Sequence, residues 1–102
     1  MLFVVLFEDN PDVKGDVRKE LMPVHQDFQE KSGVIKEAGP LRDAQGNPGG
    51  GMWIVDTDSF EAVETLIKAD PFYPTGLRKS YRILAWTKML EGGKRLQAAG
   101  VN

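Results

Sequence analysis

The chain has 102 residues, 41% hydrophobic and 27% charged, which bounds it to one domain of ordinary composition with room for its own core. Its net charge of -2 argues against a nucleic-acid binder, whose footprint is basic; Arg78, Lys79 and Arg82 gather, but acidic residues elsewhere balance them. The absence of cysteine excludes disulfides, thiol nucleophiles and zinc–thiolate sites.

Met1 to Phe7 (MLFVVLF) is β-branched and aromatic, and it stops at Glu8-Asp9-Asn10-Pro11. It reads as a first strand, apolar on both faces, so both faces need cover. As an apolar run it is too short to span a bilayer and lacks the flanks of a signal peptide, so no membrane partner and a cytoplasmic location are expected. Residues 12 to 32 read as helical, with Val17, Leu21, Val24 and Phe28 as the apolar stripe and Gly33 as the stop. Pro23 interrupts this stretch. Either the helix kinks there, or a new helix begins with Pro23 in its first turn.

Val34 to Leu41 reads as a second strand whose regularity Gly39-Pro40 breaks. Residues 42 to 51 (RDAQGNPGGG) are turn chemistry throughout and predict a flexible hairpin loop. Met52 to Val55 is the third strand. Asp58 with Glu61 has the spacing of a capping box for a second helix, whose stripe is Phe60, Val63, Leu66 and Ile67. That helix ends at Asp70-Pro71, and Tyr81 to Thr87 makes a fourth strand. The order βαββαβ is the split βαβ, or ferredoxin-like, α+β arrangement: a four-stranded antiparallel sheet with two helices on one face. The other face carries apolar residues of strands one and three plus Leu84 and Trp86. It predicts a homodimer packed sheet face to sheet face. The plainer reading is a C-terminal helix over that face, but residues 91 to 102 are too short and polar to cover it alone; reaching across a partner is the alternative open to them.

Two distant segments, Pro23-Val24-His25 and Asp70-Pro71-Phe72, carry the candidate chemistry. A histidine touching a carboxylate in a pocket makes a general acid/base pair. If Pro23 opens a helix, the helix dipole also keeps the His25 ring neutral. Each residue has a plainer reading: a half-buried histidine with one hydrogen bond, and an aspartate that accepts a backbone N–H just after it in a turn. Gly39-Pro40 reads either as a backbone wall beside a pocket or as a strand bulge. Tyr73 reads as a hydroxyl donor or as packing. With one histidine and scattered carboxylates, neither a metal nor a cofactor is expected. The loop Gly46 to Gly51, with its three consecutive glycines, lacks a phosphate-loop pattern and reads as a mobile flap or a linker.

These segments together resemble the YciI-like (YCII-related) proteins, small bacterial dimers with a ferredoxin-like fold, a dimeric α+β barrel. The resemblance runs from Met1-Leu2-Phe3-Val4-Val5 to about Leu90, making residues 1–90 the domain and 91–102 a C-terminal tail. It includes Pro23-x-His25, Ala38-Gly39-Pro40 and Asp70-Pro71-Phe72-x-x-x-Gly76-Leu77. It implies a histidine–aspartate site at His25 and Asp70, and a lyase or isomerase chemistry of the kind that dehydrochlorinases of chlorinated hydroquinones perform. Relatives often carry arginine just before Pro-x-His; here Met22 stands there, with Arg18 one turn earlier. The expected pocket is bordered by His25 and Asp70, lined by Gly39, Pro40, Phe72 and Tyr73, and takes a small molecule. In one reading His25 abstracts a proton and elimination or isomerisation follows. In the others the pocket binds a metabolite without turnover, or the dimer serves only to hold a partner protein.

Overall fold

The computed structural model describes residues 1–13 and 15–96. β1 (Leu2–Asp9) is the centre of a four-stranded sheet, with β2 (Ile35–Arg42), β3 (Pro48–Asp56) and β4 (Arg78–Trp86) in the order β2-β3-β1-β4, every pairing antiparallel. The helices α1 (Gly15–Ser32) and α2 (Phe60–Ala69) connect the halves, which gives the ferredoxin-like α+β topology expected from the element order.

One face of β1, Phe3, Val5 and Phe7, is buried with Trp53 and Val55 of β3. Val63 and Ile67 of α2 close this core, and Phe28 of α1 packs against it. Strand alternation sends Leu2, Val4 and Leu6 to the opposite face with Met52, Leu84 and Trp86. There Leu84 and Trp86 are each 39% exposed. Beyond β4, Leu90–Glu91 and Lys94–Arg95 form a small hairpin turned by Gly92 and Gly93, both at positive φ. The expected tail is thus partly this hairpin, and the rest of it, 97–102, lies outside the described residues. Among the described residues no helix is long and apolar enough to cross a membrane.

Several sequence expectations shift. α1 runs unbroken through Pro23, so no new helix opens there. Pro23 is exposed, and the face turned inward holds His25, while Val24 is 53% exposed. The stripe is therefore Val17, Leu21, His25 and Phe28: counting apolar residues favours valine, but a histidine with a buried partner takes the inner place. Ser59, not Asp58, caps α2, its Oγ accepting the Ala62 N–H at 3.1 Å. β4 begins at Arg78 rather than Tyr81, and Gly39-Pro40 precedes a register shift between Pro40 and Arg42, as a bulge would produce on this edge strand.

The largest change concerns residues 48 to 51. They belong to β3 and are neither a flap nor a linker; only 43–47 form the hairpin loop. Glycine is required by close packing. Gly50 has φ +89, and a Cβ there would overlap the carbonyl oxygen of Phe7 in the neighbouring strand. Gly50→Ala should therefore lower stability by about 2–4 kcal/mol in urea unfolding. Gly39→Ala, where an added Cβ meets nothing within 4 Å, should cost less than about 1 kcal/mol.

Candidate active site

The site grows from the end of α2. Asp70 is the C-cap, and its extended backbone (φ -64, ψ 133) is what the following Pro71 demands. Its side chain is fully buried. Oδ1 accepts the Phe72 N–H at 2.9 Å, the turn expected of an Asp-Pro segment. The same oxygen lies 2.9 Å from His25 Nδ1, and Oδ2 accepts from Arg78 Nη1 at 2.9 Å. The plain turn and the histidine pair are therefore both present.

Burial alone would raise the Asp70 pKa. The hydrogen bonds from His25 and Phe72 and the charge of Arg78 outweigh it and hold the carboxyl below its ordinary value. An ionised carboxylate only accepts, so Nδ1 of the neutral ring must carry the hydrogen and Nε2 the lone pair. His25 belongs to the interior of α1, well past the first turn, so the helix dipole does not act on it. Its orientation comes instead from Asp70 and from Phe72, whose ring stacks on the imidazole at 3.9 Å and 8°.

Arg78 was not singled out by the sequence. Its guanidinium lies 3.8 Å from the centre of the Phe7 ring and 5.2 Å from that of Trp53, with a side-chain exposure of 12%. Burial lowers its pKa and Asp70 pulls it back up; an arginine stays charged in either case. What brings it here is strand pairing, since Arg78 sits opposite Asp9 in the sheet. Asp9 in turn joins α1 to β3: Oδ1 accepts from Arg18 Nη2 at 3.0 Å and Oδ2 from the Gly50 N–H at 3.2 Å. Neither link has a local signature in the sequence.

His25, Arg78, Asp9 and Arg18 border a cavity of about 410 Å³. One wall is the α1 face with Arg18, Met22 and His25; the other is Gly39, Pro40, Gly50 and Gly51, with Phe7, Trp53, Phe72 and Arg78 completing it. Of the residues expected at the pocket, His25, Gly39, Pro40 and Phe72 line it. Asp70 sits behind His25, where it positions the ring without facing the cavity. Tyr73 is not in the lining: it opens the short 3-10 helix Tyr73–Thr75 and is 45% exposed. Among the described residues no three acidic or histidine side chains converge as a metal site would need.

The YCII-related domain profile matches residues 1–87. The chain belongs to the YCII-related family. Among solved structures it is similar to 5-chloro-2-hydroxyhydroquinone dehydrochlorinase (TftG) from Burkholderia phenoliruptrix AC1100, in complex with 2,5-dihydroxybenzoquinone. That match has 25% identity and a TM-score of 0.72, and covers 85% of this chain and 94% of the other. A hypothetical protein of Arabidopsis thaliana (17% identity, TM-score 0.52, covering 89% of each chain) shares the fold. So does an antibiotic biosynthesis monooxygenase (14% identity, TM-score 0.50, covering 86% of this chain and 100% of that one). No curated protein matched the sequence.

For this YCII-related protein the buried carboxylate makes a pH prediction. The folded Asp70 pKa is depressed, so its stabilisation is complete above the ordinary carboxylate value of about 3.9 and is lost as pH falls through the lower folded value. Asp70→Asn also leaves the Arg78 charge buried without an anion, and it should cost about 3–5 kcal/mol at pH 7. Urea unfolding across pH should show the parent–variant difference shrinking in acid.

Proposed function

We propose that this YCII-related protein is a small-molecule enzyme of lyase or isomerase type, with His25 as general base and Asp70 as the residue that orients it. The observation that carries the reading is the Asp70–His25 Nδ1 bond, which leaves Nε2 as the basic nitrogen of a ring lining the cavity. Nε2 would take a proton from an acidic C–H or O–H of a bound substrate. The electron pair left behind would expel a leaving group or shift a double bond, and the imidazolium, paired with Asp70, would return the proton to product or solvent. The likeness to a dehydrochlorinase at 25% identity supports this class of reaction without naming a substrate for this chain. Nothing in these steps calls for a cofactor.

We further propose that the protein works as a homodimer through the open sheet face, where Leu84 and Trp86 stand beside partly buried Leu2, Val4, Leu6 and Met52. An apolar surface of this kind on a central sheet is of the sort that a second copy covers.

His25→Gln should abolish turnover of any substrate found by screening chlorinated and hydroxylated aromatic compounds, with circular dichroism and sedimentation unchanged. Full turnover by the variant would defeat the acid/base reading. Saturable binding with no turnover by the parent would favour a metabolite-binding role for the same cavity. Trp86→Glu should shift sedimentation to the monomer; a parent that already sediments as a monomer would remove the dimer from the account.

A further inference from the structure

The chain carries a net charge of -2, yet the charged residues lining the cavity besides His25 are Arg18, Arg42, Arg78 and Asp9. Positive charge outnumbers negative in this lining although the chain as a whole is acidic. Two of these arginines are matched. Asp9 holds Arg18 at 3.0 Å, and buried Asp70 holds Arg78 at 2.9 Å. Arg42 has no acidic partner within ion-pair distance among the described residues. It ends β2, pairs across the hairpin with Pro48, and is exposed while bordering the cavity. The structure therefore leaves one uncompensated positive charge at the rim of the cavity whose wall carries His25.

We infer that the cavity takes an anionic ligand, one bearing a carboxylate or an acidic enol or phenol oxygen, and that Arg42 is the residue that selects it. The inference rests on the cavity being the ligand site proposed above. It adds the charge of the ligand and the group that reads it. A guanidinium offers paired N–H donors to an oxyanion, and its aim is adjustable because it stands at the end of an edge strand. The matched pairs tie α1 to β1 through Arg18–Asp9 and β4 to the end of α2 through Arg78–Asp70, so the excess charge falls to Arg42.

The test is calorimetric titration of the full chain at low salt with two probe pairs: benzoate against benzamide, and 2,5-dihydroxybenzoquinone against 2,5-dimethoxybenzoquinone. At least one anion should bind roughly tenfold more tightly than its neutral counterpart, the magnitude of one charged hydrogen-bonding contact. The pair showing the preference distinguishes a carboxylate from an enolate. Arg42→Gln should remove most of that preference without changing affinity for the neutral probe, and Arg42→Lys should keep part of it. The inference is overturned if the parent shows no preference for either anion, including no binding of them at all, or if the preference survives in Arg42→Gln. A preference that depends on Arg42, in a protein whose turnover ignores His25→Gln, would keep this inference and remove the catalytic one.

Discussion

A buried carboxylate with three donors organises this molecule. Asp70 takes the Phe72 N–H from its own turn, the His25 Nδ1–H from α1 and a guanidinium N–H from the first residue of β4. Each donor comes from a different element, so one side chain ties the end of α2 to the rest of the fold. A carboxylate at a helix C-terminus is disfavoured by the dipole, and burial disfavours it further. It stays ionised because its partners supply a full positive charge and two N–H groups. The same arrangement fixes the tautomer of His25. Stability and the proposed chemistry thus rest on one group, and Asp70 positions His25 without lining the cavity.

Aromatic and cationic contacts surround it. Phe72, placed by the turn that Asp70 caps, stacks on His25. Arg78, placed by strand pairing and held by the same carboxylate, covers Phe7 and approaches Trp53, two residues of the main core. The polar site is therefore laid directly on the hydrophobic core, and a displacement of the Asp70 turn would be felt in both. Asp9 plays a smaller version of this part, joining Arg18 of α1 to the backbone of β3.

The fold class was legible because it depends on element order and on apolar patterning, both of which are local. The pairing of His25 with Asp70 was legible in part, since a lone histidine and an aspartate at an unfavourable helix end each lacked a partner. What stayed hidden depends on non-local packing. The run Gly49-Gly50-Gly51 looks like a loop because glycine usually marks turns, but here the Phe7 carbonyl approaches so closely that a strand residue can have no side chain. Val24 outscored His25 on hydrophobicity because no local rule shows that a partner waits inside. Arg78 looked like one of three surface cations until strand pairing set it opposite Asp9. Tyr73 lay near the right residues in sequence, yet the short helix after Phe72 left it out of the cavity lining.

The two walls of the cavity differ in what substitution can do to them. The wall formed by Gly39, Pro40, Gly50 and Gly51 is mostly main chain, and at Gly50 it has no tolerance for a larger residue. The facing wall is one stripe of α1, where Arg18, Met22 and His25 project at helical spacing. The shape of the rigid side is set by strand geometry; on the other side Arg18 and His25 are tied to Asp9 and Asp70, while Met22 can change in size and charge without breaking an ion pair. A redesign of ligand preference would accordingly leave the glycines alone and vary position 22, where a flexible methionine occupies the turn between the ion-paired arginine and the imidazole.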